Sequence, residues 1–330
     1  MSVLLIPGLL SVVLLVTALG GPTLVRAAAP ILMRFPRAAT VLLLGSLLLW
    51  LLAAAALSLL SAWIVTGPSV LPGPFAEVCR RCIEAASPFS FAGSIDTSVP
   101  VALLVLLPAL AMLAVIGRGS LTGIRRYRAT RAVSREVADR ARSIQIDGYP
   151  VLLIPDSRAV AFSLPRRHGG IVISEGLRTR LDPAELTAVI AHENAHVRQR
   201  HHLVMTVVAA LHRPLSRVPL VSSVADAVPH YLEIAADNAA RGRSGTPALA
   251  GALLKLAVPD EKHATDRLAS PLLHAAGPDR IRQLVAPAGL RSAVMPISAL
   301  CIQLAALAVV VAAVHGPYLY VVLTGCRLPA

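Results

Sequence analysis

Asp182-Pro183-Ala184-Glu185-Leu186-Thr187-Ala188-Val189-Ile190-Ala191-His192-Glu193-Asn194-Ala195-His196 reads as one capped helix with a chemical end. Asp182 suits the cap, Pro183 the first helical position, and Glu185 completes a capping box. Leu186, Val189 and Ile190 supply the apolar face. His192 and His196 are four apart, so a helix stacks both imidazoles on one side, one turn apart, where they can grip the same ion. Glu193 points about 100° away from His192. It therefore falls off the ligand stripe but can reach a water beside the ion, as a general base for hydrolysis must. Chance produces such an HExxH about once in a hundred chains of this composition, so the motif carries weight.

A catalytic zinc site takes three protein ligands and keeps one position open. The segment Pro229-His-Tyr-Leu-Glu233-Ile-Ala-Ala-Asp237 supplies a third, 37 residues after His196. Pro229 and Gly242 are expected to bound this second helix. Glu233 and Asp237 share a face, amid Leu232, Ile234, Ala235, Ala236, Ala239 and Ala240. Two carboxylates in so apolar a helix require partners. Glu233 can complete a His-His-Glu set, and Asp237 can accept the N–H of a ligand imidazole and fix its tautomer.

Around this core the chain is unusually apolar. Of 330 residues, 55% are hydrophobic and only 15% charged, against about 25% charged in an ordinary soluble domain. Four runs are long and apolar enough to span a bilayer: about 2–25, 38–65, 98–117 and 294–315. None contains Asp, Glu, Lys or Arg. No positive charge precedes the first run, which argues against a signal peptide. Arginines cluster at Arg26, Arg34 and Arg37, at Arg118 to Arg135, and at Arg280, Arg282 and Arg291. The positive-inside rule then puts 26–37 and 118–293 in the cytoplasm and 66–97 outside. Residues 1–117 are expected to form three transmembrane helices, 118–293 the metal-binding domain, and 294–330 a fourth helix and short tail.

The formal charge of +13 comes from arginines concentrated beside spans, so direct nucleic-acid binding is not expected. Spans nearly devoid of polar groups also argue against a transporter. Within 118–293, Arg125 to Arg142 has near-helical apolar spacing at Val133, Val137, Ala141 and Ile144, predicting a basic amphipathic helix. The runs 151–154, 160–164 and 171–174, separated by breakers, predict a small antiparallel sheet. Cys79 and Cys82 fall in the expected outer loop, where a disulfide and two free thiols are equally compatible with the sequence.

The HExxH, the later ExxxD, the capped entry helix, and the stretches Val160-Ala-Phe162 and Ile171-Val-Ile-Ser-Glu-Gly-Leu177 resemble the membrane gluzincin metallopeptidases. Two branches are candidates: the HtpX-type and CAAX-prenyl-type proteases, and the BlaR/MecR-type antirepressor peptidases. The layout of three spans, a zinc domain and a fourth span favours BlaR/MecR. The large outer sensor of those receptors has no counterpart after His315, so β-lactam sensing is not implied. The resemblance implies a mainly α integral membrane protein of four transmembrane helices, with a cytoplasmic α+β zincin-like domain between the third and fourth. It implies one Zn2+ on His192, His196 and Glu233, Glu193 as base, and Asp237 behind the ligands. The expected function is zinc-dependent endoproteolysis at the cytoplasmic face of the inner membrane. The bilayer and a protein substrate, such as a transcriptional repressor, are the expected partners. Membrane-protein quality control and a catalytically inactive receptor are the alternatives. For oxyanion stabilisation, Tyr231 and His230 rank above His201 and His202, because a continuing helix would carry the latter past the metal.

Overall fold

The computed structural model describes residues 2–66, 101–257 and 294–324. Helix α1 (Ser2–Arg34) and helix α2 (Pro36–Thr66) form an antiparallel pair joined at Phe35. The expected loop 26–37 is therefore almost wholly helical. Helix α3 (Val101–Arg140) is continuous across the expected boundary at 117/118. Next come strands β1 (Arg142–Ile146), β2 (Tyr149–Ile154), β3 (Ala161–Ser163) and β4 (Ile171–Ser174), then helix α4 (Glu175–Arg180). Helix α5 (Pro183–Arg198) carries the HExxH; α6 (His201–Leu215), α7 (Pro219–Ala257) and α8 (Val294–Thr324) follow.

Three helices among the described residues are long and apolar enough to cross a membrane: Pro7–Arg34, Pro36–Ser58 and Val294–Gly316. The expected span 98–117 begins outside the described residues and is not one of these three. The inner seam of the three helices joins Leu10, Leu14, Ala53, Ala56, Leu60, Leu307 and Val314. Trp50 donates its indole N–H to the Leu14 carbonyl at 3.0 Å, and Gln303 donates to Thr17 across α8 and α1. Leu9, Leu15, Leu48, Ile302 and Val309 point outward and are exposed, as helix faces turned to lipid must be. Cys301 on α8 is a free, exposed thiol. The Cys79/Cys82 pair and Arg280 to Leu284 lie outside the described residues.

The sheet is mixed, in the order β1-β2-β4-β3. β2 and β4 run parallel, with Val151 opposite Ile171; the outer pairs are antiparallel. This corrects the antiparallel expectation. Three short runs with near breakers suggest hairpins, but β3 and the 3-10 turn Arg166–His168 are interposed and return the chain to lie beside β2. The basic helix ends at Arg140, so Ile144 belongs to β1. Asp147 and Gly148, both at positive φ, make the tight turn that pairs β1 with β2.

The domain core packs Val151, Leu153, Ile171 and Ile173 of the sheet, Leu177 of α4, Leu186 and Ile190 of α5, and Leu249 and Leu253 of α7. A second core joins domain to spans. Val221, Val224, Val228 and Leu232 of α7 and Val208 of α6 pack against Val25 and Leu32 of α1 and Leu43 and Leu47 of α2. This seam explains why α7 starts at Pro219, leaving Pro229 inside it: the apolar stripe facing α1 and α2 begins ten residues earlier than the acid pair suggests. The break comes at Gly245 (φ 79°), beyond Gly242.

At Gly176 a Cβ would sit 2.0 Å from the Ser157 carbonyl oxygen. Backbone cannot yield as a side chain does. Gly176→Ala is therefore expected to destabilise the domain by about 1–3 kcal/mol, read as a lowered thermal unfolding midpoint; an unchanged midpoint would show that the 156–158 turn shifts freely.

Candidate metal centre

Helix α5 starts as its sequence dictates. The Asp182 carboxylate accepts from Glu185 N at 2.9 Å, Glu185 Oε2 accepts from Asp182 N at 3.0 Å, and Pro183 occupies the first turn. Lys255 of α7 donates to Glu185 Oε2 at 2.5 Å, tying the cap to the far end of α7. Between these fixed ends, α5 and α7 lie side by side and bring the HExxH to the ExxxD.

His192 Nε2 and His196 Nε2 are 3.0 Å apart. Glu233 Oε2 lies 3.4 Å from His192 Nε2, and Glu233 Oε1 lies 3.5 Å from His196 Nε2. One donor atom from each residue falls within 4.8 Å of the others, a grouping able to hold a metal ion. Asp237 Oδ1 lies 3.0 Å from His192 Nδ1, on the opposite edge of that ring. Glu193 is buried and lines the cleft in front of the cluster. The expected site residues thus converge from two helices.

The donor set fits zinc, which prefers imidazole nitrogen and carboxylate oxygen in tetrahedral sites. The electrostatics agree. Burial penalises a charged His192 ring, but the contacts and charges of Asp237 and Glu233 outweigh it and lift its pKa from 6.5 to about 10. A pocket that draws a positive charge onto so buried a ring has a field suited to a cation.

His201 sits where sequence reasoning did not place it. Arg200 adopts a left-handed backbone (φ 54°), and the chain turns from α5 into a new helix there. The turn folds His201 back, its Nδ1 2.9 Å from His196 Nδ1. His201 Nε2 lies 3.1 Å from Gln199 Oε1, and Arg37 Nε donates to that same oxygen at 3.1 Å. An amide oxygen only accepts, so His201 Nε2 carries its hydrogen. Burial, opposed by Glu233, draws the His201 pKa down to about 4, keeping the ring neutral at pH 7. Its Nδ1 must then accept from His196 Nδ1–H, which turns the His196 Nε2 lone pair toward the cluster. Arg37, at the start of α2, and Gln199 were not singled out from the sequence; only a non-glycine residue in a left-handed turn, invisible without coordinates, brings them here.

The oxyanion candidates differ in where they lie. His201 and His202 line the cleft, with Phe162 and Ser163 of β3. Tyr231 is buried in the core against α1 and α2, where burial pushes its pKa to about 12. His230 lies beside Tyr231, ring centres 6.0 Å apart, and is not part of the cleft lining.

Residues 127–279 match the model of peptidase family M48. Among curated proteins, the protease HtpX homolog of Acidiphilium cryptum is 41% identical over 85 residues, 24% of this chain and 30% of that protein. The protease HtpX homolog of Acaryochloris marina is 44% identical over 82 residues, covering 24% and 27%. That of Aquifex aeolicus is 32% identical over 77 residues, covering 23% and 26%. The chain thus spans less than a third of the length of these relatives. No solved structure gives a significant match. The match, just under half of the chain, makes residues 127–279 similar to peptidase family M48, and the same chain carries three candidate membrane spans and a His-His-Glu cluster able to hold a metal ion. The relatives bear the HtpX name; the BlaR/MecR branch expected from the span layout finds no support in them.

Proposed function

We propose that the chain is a zinc-dependent membrane endopeptidase in which His192, His196 and Glu233 hold the ion. The convergence of these three side chains from α5 and α7 carries the reading. Zinc, when bound, supplies Lewis acidity toward a peptide carbonyl and acidifies a water. Glu193 takes the proton of the attacking water and returns it to the leaving amine. Asp237 holds His192, and His201 holds His196, each by the ring nitrogen facing away from the ion. β3 forms one edge of the sheet and borders the cleft, so an extended substrate can lie along it. His202, which lines the same cleft as Glu193, is our candidate to meet the carbonyl oxygen.

The similarity to HtpX-named proteases favours turnover of membrane proteins over regulatory cleavage of a repressor. Comparing membrane and soluble proteomes of cells carrying the native chain or Glu193→Gln tests this: accumulation of intact membrane proteins in the variant supports turnover, whereas one discrete fragment of a soluble regulator would favour the repressor reading. Asp237→Ala is expected to weaken zinc retention and cleavage together by about 10- to 100-fold, measured by competition with a chelating dye; unchanged affinity would remove Asp237 from the site. The arginines flanking the spans favour a cytoplasmic domain. A reporter active only outside the cytoplasm should be silent when fused at Gly242 and active within 66–97; the reverse pattern overturns the topology.

A further inference from the structure

A second cavity, of about 720 Å³, lies between α2, α5, α6 and α7 and shares His201 and Leu232 with the lining of the catalytic cleft. Arg37, Arg198 and Arg243 line it, together with Tyr149, Gln199 and Asn194, and no carboxylate is among its lining residues. Arg37 donates to the Gln199 amide oxygen, and Arg243 lies over the Tyr149 ring, its guanidinium carbon 5.7 Å from the ring centre. The Gln199 side-chain nitrogen is buried and has no hydrogen-bond partner among the described residues. With its oxygen committed to Arg37 and His201, that nitrogen can only donate. Three guanidinium groups around one hollow repel one another, and each offers a planar fork that matches phosphate oxygens. A low-dielectric wall on the α5 side focuses their field into the cavity. The volume is that of a small-molecule site. Arg37 is the second residue of the candidate span Pro36–Ser58, the depth at which lipid headgroups lie.

We propose that this cavity binds a phosphate-bearing anion, the headgroup of an acidic phospholipid or free phosphate, through Arg37, Arg198 and Arg243. The same Arg37 and Gln199 that meet the anion also hold His201 behind His196, so occupancy of the cavity is felt at the metal centre. The binding claim itself is independent of peptidase activity.

The test uses the full chain in nanodiscs of phosphatidylcholine, with or without phosphatidylglycerol, and reads retained lipid by native mass spectrometry after release into detergent. In parallel, inorganic phosphate is titrated while thermal unfolding is followed. The native chain is expected to retain phosphatidylglycerol in preference to phosphatidylcholine, and R37Q/R198Q/R243Q to lose that preference at least about tenfold. The single variant R198Q, away from the Gln199 contact, should lose part of it and guards against misfolding of the triple variant. Stabilisation of the native chain, but not the variants, by phosphate without lipid retention would assign the source as free phosphate. Equal retention by native and variant chains, or no response to either anion, overturns the proposal.

Discussion

Glu193→Gln is expected to lower peptide cleavage by about 10²-fold or more while bound zinc stays near one equivalent, because the amide keeps the shape of the carboxylate and loses only its capacity to accept a proton. The geometry sets this expectation. Glu193 lies within the cleft lining, next to His192 in sequence, and is not one of the three clustered residues His192, His196 and Glu233. It is buried within α5, so exchange by solvent does not replace it. Zinc content and cleavage of a fluorogenic peptide measured on the same detergent-purified sample separate the two effects. Cleavage at the native rate would exclude Glu193 as the base.

Glu233→Ala is expected to give the opposite pattern, with zinc lost on dialysis against mild chelator and cleavage falling to background. Its two oxygens approach the Nε2 atoms of His192 and His196, one each, so removal would leave two imidazoles on one helix as the entire donor set of the proposed site. Two ligands do not close a zinc site. The variant should still fold, since Glu233 is half-buried and contributes little to the apolar seam formed by Val224, Val228 and Leu232. Circular dichroism would check that. Full zinc retention by a folded Glu233→Ala chain would mean that the third ligand lies elsewhere.

The local parts of the site were legible because they obey short-range rules. The Asp182–Glu185 capping box, the four-residue spacing of His192 and His196, and that of Glu233 and Asp237 each follow from helix geometry, and all three appear in the structure. What was not legible depends on distant packing. The parallel pairing of β2 with β4 requires knowing that β3 intervenes. The early start of α7 reflects its seam with α1 and α2, partners almost 200 residues away in sequence. His201 was misjudged because α5 was extended through Arg200, whose left-handed conformation turns the chain back on itself. Arg37 reaches Gln199 from 162 positions away, and no pattern in either segment announces that contact. Ile144 kept helical spacing with Val133, Val137 and Ala141 yet joined a strand, because the Asp147–Gly148 turn offers β1 a partner.

Zinc-edge X-ray absorption on the purified full-length chain tests the central claim most directly. One zinc per chain is predicted, with a first shell of nitrogen and oxygen at about 2.0–2.2 Å and outer-shell scattering from two imidazoles, reduced to one imidazole, or lost with the metal, in His196→Ala. Absence of stoichiometric zinc, or a native-like two-imidazole spectrum in His196→Ala, would contradict it.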